Sequence, residues 1–256
     1  MSKLLKSILL TLLAANTKSG QAPSSDGDTH VQQASRPFVA GERLDYEVRF
    51  GRLRVGHGTM LLAGLDTVNG RPTWRAIFTV SGGTLFFHVR DSTVSWFDTS
   101  TFNSLRFVQK INEGHYHADR EFRIYPESAT YSRNGKPAVP SVGEPLDDES
   151  FIYFLRTLPL EIGRTYRFDR YFQPEGNPII IRVLRHEAVR VPAGAFESIV
   201  VQPQITTAGI FSQHGRAQVW IADDSTHRVL QIKSSLSFGS LNLYLTRASV
   251  DTARQP

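Results

Sequence analysis

Apolar and polar residues alternate with a period of two along most of the chain from Gly41 onward. Such alternation is typical of strands that bury one face and expose the other. The clearest apolar faces are Leu44, Tyr46, Val48 and Phe50; Trp74, Ala76, Phe78 and Val80; and Leu241, Leu243 and Leu245. Turn signals such as Asn69-Gly70 and Asn134-Gly135 separate the segments. The spacing predicts a mainly β fold, with antiparallel meanders that form an open or closed barrel-like sheet.

One segment departs from this alternation and predicts a single short helix over about 148–158. Acids crowd its first turn, where the helix dipole favours negative charge, and Pro159 ends it. Its apolar face has the spacing i, i+3, i+4 and i+7 and consists of Phe151, Phe154, Leu155 and Leu158. A helix of this length needs packing for stability. We therefore expect it to cover one opening of the β-structure, with Phe154 and Leu155 as its deepest residues.

The N-terminus has the layout of a secretory signal peptide. Lys3 and Lys6 precede the short apolar run Ser7–Ala15, which is too short to span a bilayer comfortably. The alternative is the frayed amphipathic start of a cytosolic protein. We predict a signal peptide over 1–20, a disordered polar linker over 21–40 and a single β-rich domain over 41–250. The mature protein is then periplasmic or envelope-associated, without an integral membrane span.

Composition removes several classes of function. The chain has no cysteine, which excludes disulfides, thiolate metal sites and a cysteine nucleophile. Without the three lysines of residues 1–20, the rest of the chain has 26 basic and 24 acidic residues, a net charge of +2. Nucleic-acid binding needs a concentrated basic face, so no nucleic-acid partner is expected.

The chain also repeats its order of elements at an offset of about 120 to 125 residues. Val94-Ser-Trp96-Phe97-Asp98 resembles Gln218-Val-Trp220-Ile-Ala-Asp223, and Leu105-Arg-Phe107 resembles Leu230-Gln-Ile232. Two related halves, 41–135 and 162–250, explain this pattern. Any two β-meanders could align as well, so the alternative stays open.

Histidines and acids alternate on one predicted strand and give the only metal-site candidate. His115, His117, Asp119 and Glu121 share a face, and histidine with carboxylate suits zinc or a similar ion. The opposite face is apolar, so the same residues also fit the solvated face of an amphipathic strand. The chain offers no nucleophile elbow, phosphate-binding glycine loop or dinucleotide fingerprint. We assign no catalytic residues and no cofactor.

Collinear motifs across 41–248 resemble the DUF3108 family of exported bacterial proteins of unknown function. They are Gly41-Glu-Arg-Leu-Asp-Tyr-Glu-Val-Arg-Phe50, Val55-Gly-His-Gly-Thr59, Phe151-Ile-Tyr-Phe-Leu-Arg-Thr-Leu-Pro-Leu-Glu-Ile-Gly163, Val191-Pro-Ala-Gly-Ala-Phe-Glu-Ser198 and Gly215-Arg-Ala-Gln-Val-Trp-Ile-Ala-Asp-Asp224. His227-Arg228 departs from the family pattern, which has a proline before the returning strand. The resemblance implies an exported β-rich domain and supplies no catalytic residues.

Three functions remain after these exclusions. The first is non-enzymatic binding of a lipid, a lipidated polypeptide or another envelope component in the concave face of the sheet. Its candidate ligand-binding residues are Phe151, Phe154, Trp74, Trp96 and Trp220, although core packing also explains the tryptophans. The second is a metal-dependent enzyme or metal-binding protein that uses His115 and His117. The third is a structural module that recruits an envelope protein by strand addition. The sequence leaves the oligomeric state undetermined.

Overall fold

In a computed structural model, the described residues are 36–84, 87–206, 217–236 and 239–251. The predicted signal peptide and most of the predicted linker lie outside them. The described part contains fourteen strands and one α-helix, α1 (Asp148–Thr157). The strands are β1 (Glu42–Phe50), β2 (Leu53–Val68), β3 (Arg71–Thr84), β4 (Phe87–Asp98), β5 (Ser104–Glu113), β6 (Tyr116–Tyr125), β7 (Thr130–Arg133), β8 (Val139–Pro140), β9 (Thr165–Phe168), β10 (Ile179–Val191), β11 (Gly194–Gln204), β12 (Gln218–Ala222), β13 (Val229–Leu236) and β14 (Gly239–Val250).

All fourteen strands belong to one antiparallel sheet. Its order is β8-β7-β6-β5-β4-β3-β2-β1-β14-β13-β12-β11-β10-β9. Consecutive strands therefore pair with each other, with the exception of β8 and β9, and the pairing of β1 with β14 joins two meanders, β1–β8 and β9–β14. The sheet is open, with β8 and β9 at its edges. The predicted mainly β fold of antiparallel meanders with one short helix is confirmed.

The connection between β9 and β10 reaches across to the other meander. The ring of Phe172 packs against Phe107, Phe122 and Tyr131 of β5, β6 and β7, at centroid distances of 6.2, 5.1 and 5.3 Å. The Phe172 backbone N–H donates to the carbonyl of Leu146 at 3.0 Å. Aromatic packing and a backbone bridge between Leu146 and Tyr171 thus join the segments next to β8 and β9, although these two edge strands do not pair with each other.

Turn chemistry follows the sequence at two hairpin turns. Asn69 and Gly70 have φ values of 52° and 76°, and Asn134 and Gly135 have values of 51° and 71°. A two-residue turn with positive φ at both positions matches the right-handed twist of the strands that it joins. Asparagine and glycine adopt this conformation at low cost, which explains the Asn-Gly pairs.

Helix α1 is buried on more of its surface than its apolar face alone predicts. Phe151 and Leu155 are completely buried, and Ile152, Tyr153 and Arg156 are also buried. Phe154 is only half-buried, so its assignment as one of the two deepest residues is wrong, whereas the assignment of Leu155 is right. The Phe154 ring lies 5.2 Å from that of Phe168, with the Arg170 guanidinium 4.7 Å from its centroid. Among the described residues, no helix has the length and hydrophobicity to cross a membrane.

The end of the predicted linker belongs to the folded domain. Phe38 and Ala40 are 4% and 3% exposed. The Phe38 ring meets the edges of Trp74, Phe102 and Tyr153 at centroid distances between 5.1 and 6.2 Å. The prediction of a disordered linker up to residue 40 is therefore wrong for Phe38 and Ala40. The physical reason is that the Phe38 ring packs among three aromatic side chains of the folded domain.

A buried arginine ties the C-terminal end of α1 to three other segments. Arg156 is 1% exposed and forms a two-pronged ion pair with Glu42 of β1, at 2.6 and 2.9 Å. Its Nη2 also donates to the carbonyls of Pro37 and Thr226, at 2.9 and 2.8 Å. One guanidinium thus connects the helix, the chain before β1 and the turn between β12 and β13.

The two meanders place their tryptophans in equivalent surroundings. Trp96 of β4 donates from Nε1 to Asp66, and Trp220 of β12 donates from Nε1 to Glu187, at 2.9 and 3.1 Å. In both cases the acid lies two strands earlier in the sheet. In both cases a cation from the following strand lies over the ring: Arg106 at 4.6 Å for Trp96, and Lys233 at 4.9 Å for Trp220.

Irregularities in register fall at corresponding positions too. The pairing of β4 with β5 shifts between Trp96 and Phe97, and that of β12 with β13 shifts between Trp220 and Ile221. The pairing of β2 with β3 shifts just before Gly64, which lies in register through β3 with Trp96. Bulges are positioned features of a sheet rather than defects. These correspondences support the predicted relation between the two halves, which stays a prediction.

Truncation of Phe151 should be far more costly than truncation of Phe154. We expect Phe151→Ala to lower the free energy of unfolding by about 3–5 kcal/mol, the range for a completely buried phenylalanine. Phe154→Ala, the matched control one turn along the same helix, should cost clearly less because its ring is half-buried. Urea unfolding of both variants measures the difference, and equal losses would contradict the burial of α1 described above.

The Arg156–Glu42 pair should be strongly coupled. Arg156→Met and Glu42→Gln should each lower the free energy of unfolding by about 3–5 kcal/mol, because each leaves a buried partner uncompensated. The double variant should lose much less than the sum. Denaturant unfolding of the four proteins in this cycle measures the coupling, and strictly additive losses would show that the two side chains act independently.

Candidate functional site

The N-terminal end of α1 is anchored to the sheet by a buried polar network. The Asp147 carboxylate accepts from the backbone N–H groups of Glu149 and Ser150, both at 2.9 Å, and from the Ser95 hydroxyl of β4 at 2.6 Å. The Ser104 hydroxyl of β5 accepts from the Asp147 backbone N–H at 2.8 Å. Asp147 is therefore both the helix cap and the link from α1 to β4 and β5.

The carboxyl groups of this network have raised pKa values. Burial raises the pKa of Asp147 to about 6, against the hydrogen bonds of Ser95 and Ser150, which lower it. Burial raises the pKa of Glu149 to about 8, and the Thr93 hydroxyl, which donates to this carboxyl, lowers it in part. Burial also raises the pKa of Asp148, whose carboxyl accepts from the Tyr171 hydroxyl at 3.0 Å. Helix capping, hydrogen bonds from nearby hydroxyl groups and burial explain the positions and raised pKa values of Asp147, Asp148 and Glu149. We therefore assign these three acids a structural role.

On the helix-facing side of the sheet, the surface becomes more open with distance from α1. Ser95 and Phe97 touch the helix, and register extends their side of the sheet to Ala76 and Leu62. Leu62 and Ala76 are 0% and 1% exposed. Farther along the same side lie Phe78, Val80 and Leu241, which are only partly buried. Helix α1 thus covers one part of the concave side and leaves the other part accessible.

Glycines widen this accessible part. Gly58 lies opposite Val80, and Gly56 lies opposite Gly82. A Cβ on Gly56 or Gly82 would come within 2.2 or 2.1 Å of a backbone oxygen of the other strand, so only glycine fits there. A Cβ on Gly58 would meet only ordinary contacts, at 3.5 Å or more. Gly58 itself is buried, and we name the surface formed by Phe78, Val80 and Leu241, with Gly58 beneath it, the open wall.

A pair of carboxyl groups borders the open wall. Asp91 of β4 lies in register with Val80, and Glu113 lies on the neighbouring β5 with 5% exposure. Burial, and after it the adjacent Asp91, together raise the pKa of Glu113 to about 7. Burial also raises the pKa of Asp91, which accepts a hydrogen bond from the Asn112 backbone N–H at 2.8 Å. The wall is therefore apolar at its centre and weakly acidic at one side.

The five predicted ligand-binding residues do not meet at one surface. Phe151 is completely buried, and Trp74 packs against Phe38. Phe154 lies against Phe168. Trp96 alternates with Ser95 and Phe97, so it faces away from α1. Trp220 is 3% exposed and bound to Glu187. Packing accounts for each of these aromatic rings, and a ligand-binding role for any of them stays a prediction.

The predicted metal candidates are spread along an exposed hairpin. His115 lies in the turn between β5 and β6 rather than on the strand, and His117 bonds to the Asn112 side chain at 2.9 Å. Asp119 is exposed, and Glu121 accepts from the guanidinium groups of Arg106 and Arg123. Within the described ranges, no group of three or more His, Asp or Glu side chains is arranged to hold a metal ion. The alternation on one strand therefore does not become a converging set of ligands.

One surface pocket of about 420 Å³ lies near the opposite end of β4 from the open wall's carboxyl pair. Its lining is polar and includes Arg71, Asp98, Asn103 and Glu127. Arg71 forms an ion pair with Glu127, and Asp98 caps its own turn by accepting from the backbone of Ser100 and Thr101. These side chains already satisfy one another, so the pocket offers little to a ligand.

Asp91, Glu113 and the glycines near the open wall were not among the site residues predicted from the sequence. The sequence contains one indication of Asp91. In β4, Asp91 has the same alternation as Ser95 and Phe97 and therefore shares their face, where an acid is unusual. Which face of each strand meets the helix follows only from the three-dimensional pairing.

Stability should fall as the pH rises, because several carboxyl groups have raised pKa values in the folded state. The contribution of these groups is complete below their ordinary values, 3.8 for aspartate and 4.5 for glutamate, and is lost as the pH rises through about 6 for Asp147 and about 8 for Glu149. We expect Glu149→Gln to reduce the decline in the free energy of unfolding between pH 4.5 and pH 8. Urea unfolding across this range measures it. Glu161→Gln, at an exposed carboxyl, is the control, and the same decline in both variants would contradict a buried, protonated Glu149.

Comparison with known proteins places this fold. The profile of the family described as "Protein of unknown function (DUF3108)" matches residues 45–246. A search of curated proteins finds no match. Among solved structures, the chain is similar to a β-barrel-like protein of the domain of unknown function DUF1849 from Brucella abortus, with 9% identity, a TM-score of 0.55 and coverage of 84% of this chain and 99% of that one.

Two further solved structures are similar at lower TM-scores, from which we draw no argument. One is a protein from Parabacteroides distasonis described as a candidate lipoprotein, with 10% identity, a TM-score of 0.39 and coverage of 85% and 100% of the two chains. The other is a protein from Bacteroides fragilis described as a candidate exported protein with a YmcC-like fold, with 12% identity, a TM-score of 0.36 and coverage of 82% and 96%. The family profile extends from β1 to β14 and includes α1, and on this match the chain belongs to the DUF3108 family.

Proposed function

We propose that the protein is exported to the cell envelope and binds an apolar chain, from a lipid or a lipidated polypeptide, on the open wall. The observation that carries this proposal is the partial exposure of Phe78, Val80 and Leu241 on the concave side of the sheet. Concave apolar surfaces with a few polar groups at the side are the usual form of small-molecule sites. The signal-peptide layout of residues 1–20 supports export.

The glycines support an elongated apolar ligand in particular. Gly58 is buried, and Gly56 and Gly82 lie against each other's strand, so none of them adds a side chain above the sheet and a chain of methylene groups could lie across Phe78 and Val80. Each buried methylene contributes about 0.8 kcal/mol, and a short stretch of contact is therefore sufficient for useful affinity. The proposal assigns no reaction to the protein and needs no cofactor.

Recruitment of a protein by strand addition is less well supported. The edge strands β8 and β9 have two and four residues, and β8 ends in Pro140. So few residues offer little backbone for an added strand, and proline cannot donate to it. Metal binding through His115 and His117 lacks converging ligands among the described residues.

A leucine at position 58 should block the open wall without disturbing the sheet. Gly58 is buried beside the Phe78 ring, so Gly58→Leu adds apolar volume that pushes this ring into the space where the ligand would lie, while its Cβ fits at 3.5 Å or more from its neighbours. We expect about tenfold weaker uptake of a fluorescent fatty-acid analogue, because the loss of two methylene contacts at about 0.8 kcal/mol each corresponds to a factor of about ten. Fluorescence titration measures uptake, and native mass spectrometry of protein from envelope extracts detects bound lipid.

The matched control is Thr79→Leu. Thr79 is the exposed neighbour of Phe78 and Val80 on the opposite face of β3, so this change adds the same side chain outside the wall. Its uptake should equal that of the unmodified protein. Equal uptake by both variants would remove the open wall as the site. No saturable uptake by the unmodified protein, together with no lipid in native spectra, would contradict apolar binding altogether.

A further inference from the structure

The β1–β2 hairpin carries the most exposed large hydrophobic residue among those described. Leu53 is 71% exposed and lies directly after the turn at Gly51 and Arg52. The turn is held in place because the Gly51 backbone N–H donates to the carbonyl of Ser240 in β14, at 2.9 Å. A single exposed leucine is common on protein surfaces, so the charged residues beside it decide what this hairpin can contact.

Arginines surround this leucine. Arg52 and Arg54 flank it in sequence, and Arg49 lies in register with Arg54 across the hairpin. The side chains of Arg49 and Arg54 are 38% and 57% exposed. The acid nearest in sequence is Glu47, whose 11% exposed carboxylate already pairs with both of them. The tip therefore presents a net positive charge around one apolar side chain.

Charge differs between the two ends of the strands. Arg90, close to the adjacent β3–β4 turn, is also exposed at the end that carries Leu53. At the opposite end, the β2–β3 turn follows Asp66 and the β12–β13 turn contains Asp223, with side chains 39% and 40% exposed. The acids of the opposite end are paired with Arg75 and His186, so its charges are mixed. An anionic surface would therefore attract the arginine-bearing end more strongly, which orients the protein as it approaches.

We propose that the β1–β2 hairpin docks the protein on a bilayer surface that carries anionic phospholipids, with Leu53 entering the interface and Arg49, Arg52 and Arg54 meeting the phosphates. An apolar residue with basic neighbours at a hairpin tip combines the two attractions that hold proteins at such interfaces. The long arginine stems also remain in the headgroup region while their charges stay hydrated. This proposal does not depend on ligand binding at the open wall.

The absence of cysteine from the chain allows a site-specific test. Leu53→Cys, labelled with an environment-sensitive dye, is titrated with vesicles of phosphatidylcholine alone or with added phosphatidylglycerol. We expect a blue shift and a rise in emission only with phosphatidylglycerol, and reversal at high salt, because screening weakens the attraction of the arginines. Arg52→Gln in the labelled protein should raise the lipid concentration at half-saturation about fivefold.

The matched control is Leu65→Cys with the same dye. Leu65 is 51% exposed on the same strand, but it lies at the opposite end beside Asp66. Its emission should stay unchanged. Both labelled proteins carry the same apolar residues 8–15, so any binding by that segment cannot produce a difference between the two dyes. No shift at position 53, an equal shift at position 65, or indifference to phosphatidylglycerol would each overturn the proposal.

Discussion

Helix α1 lies on the concave side of the curved sheet and is largely buried there, so the polar groups at both of its ends need partners inside the protein. Free N–H and C=O groups at a helix terminus are costly when they are removed from water. Asp147 satisfies the N-terminal end and ties it to Ser95 and Ser104, and Arg156 holds the C-terminal end against Glu42 and the Thr226 carbonyl. The two anchors contact both meanders, so the position of the helix and the curvature of the sheet depend on each other.

The curvature has a repeated origin in the two meanders. Each places a register shift next to a tryptophan whose indole N–H is bound to an acid two strands away. Bulges bend and twist a sheet locally, and a buried or stacked tryptophan stabilises the bent region. The same device at Trp96 and Trp220 lets one continuous antiparallel sheet curl around a single helix, although neither edge strand pairs with the other.

The open wall adjoins the β1–β2 hairpin, since Leu241 of the wall pairs with Phe50 of β1 and Gly58 lies on β2. Near the tip of this hairpin, Val48 of β1 pairs with Gly56 of β2. Val48 lies two residues before Phe50, and Gly56 lies three residues after Leu53. A protein that docks by this tip would bring the uncovered part of its concave side toward the lipid surface. Helix α1 fills the other part of the interior, so the part that packs on the helix and the part proposed for ligand binding are separated along the strands.

The sequence by itself determined the strand-rich fold, the family, the position of α1 and the Asn-Gly turns, because period-two alternation, a 3.6-residue apolar face and positive φ are local properties. It also located Leu155 in the core. It could not determine the depth of Phe154, the ordered packing of Phe38 or the separation of the five aromatic candidates, since each depends on which strands meet the helix. Asp91 and Glu113 become a pair, and Arg156 meets Glu42 at a separation of 114 residues, only through tertiary structure. The alternation in the sequence shows which residues of a strand share a face. Only the pairing of the strands in the folded protein determines which other residues lie on that face.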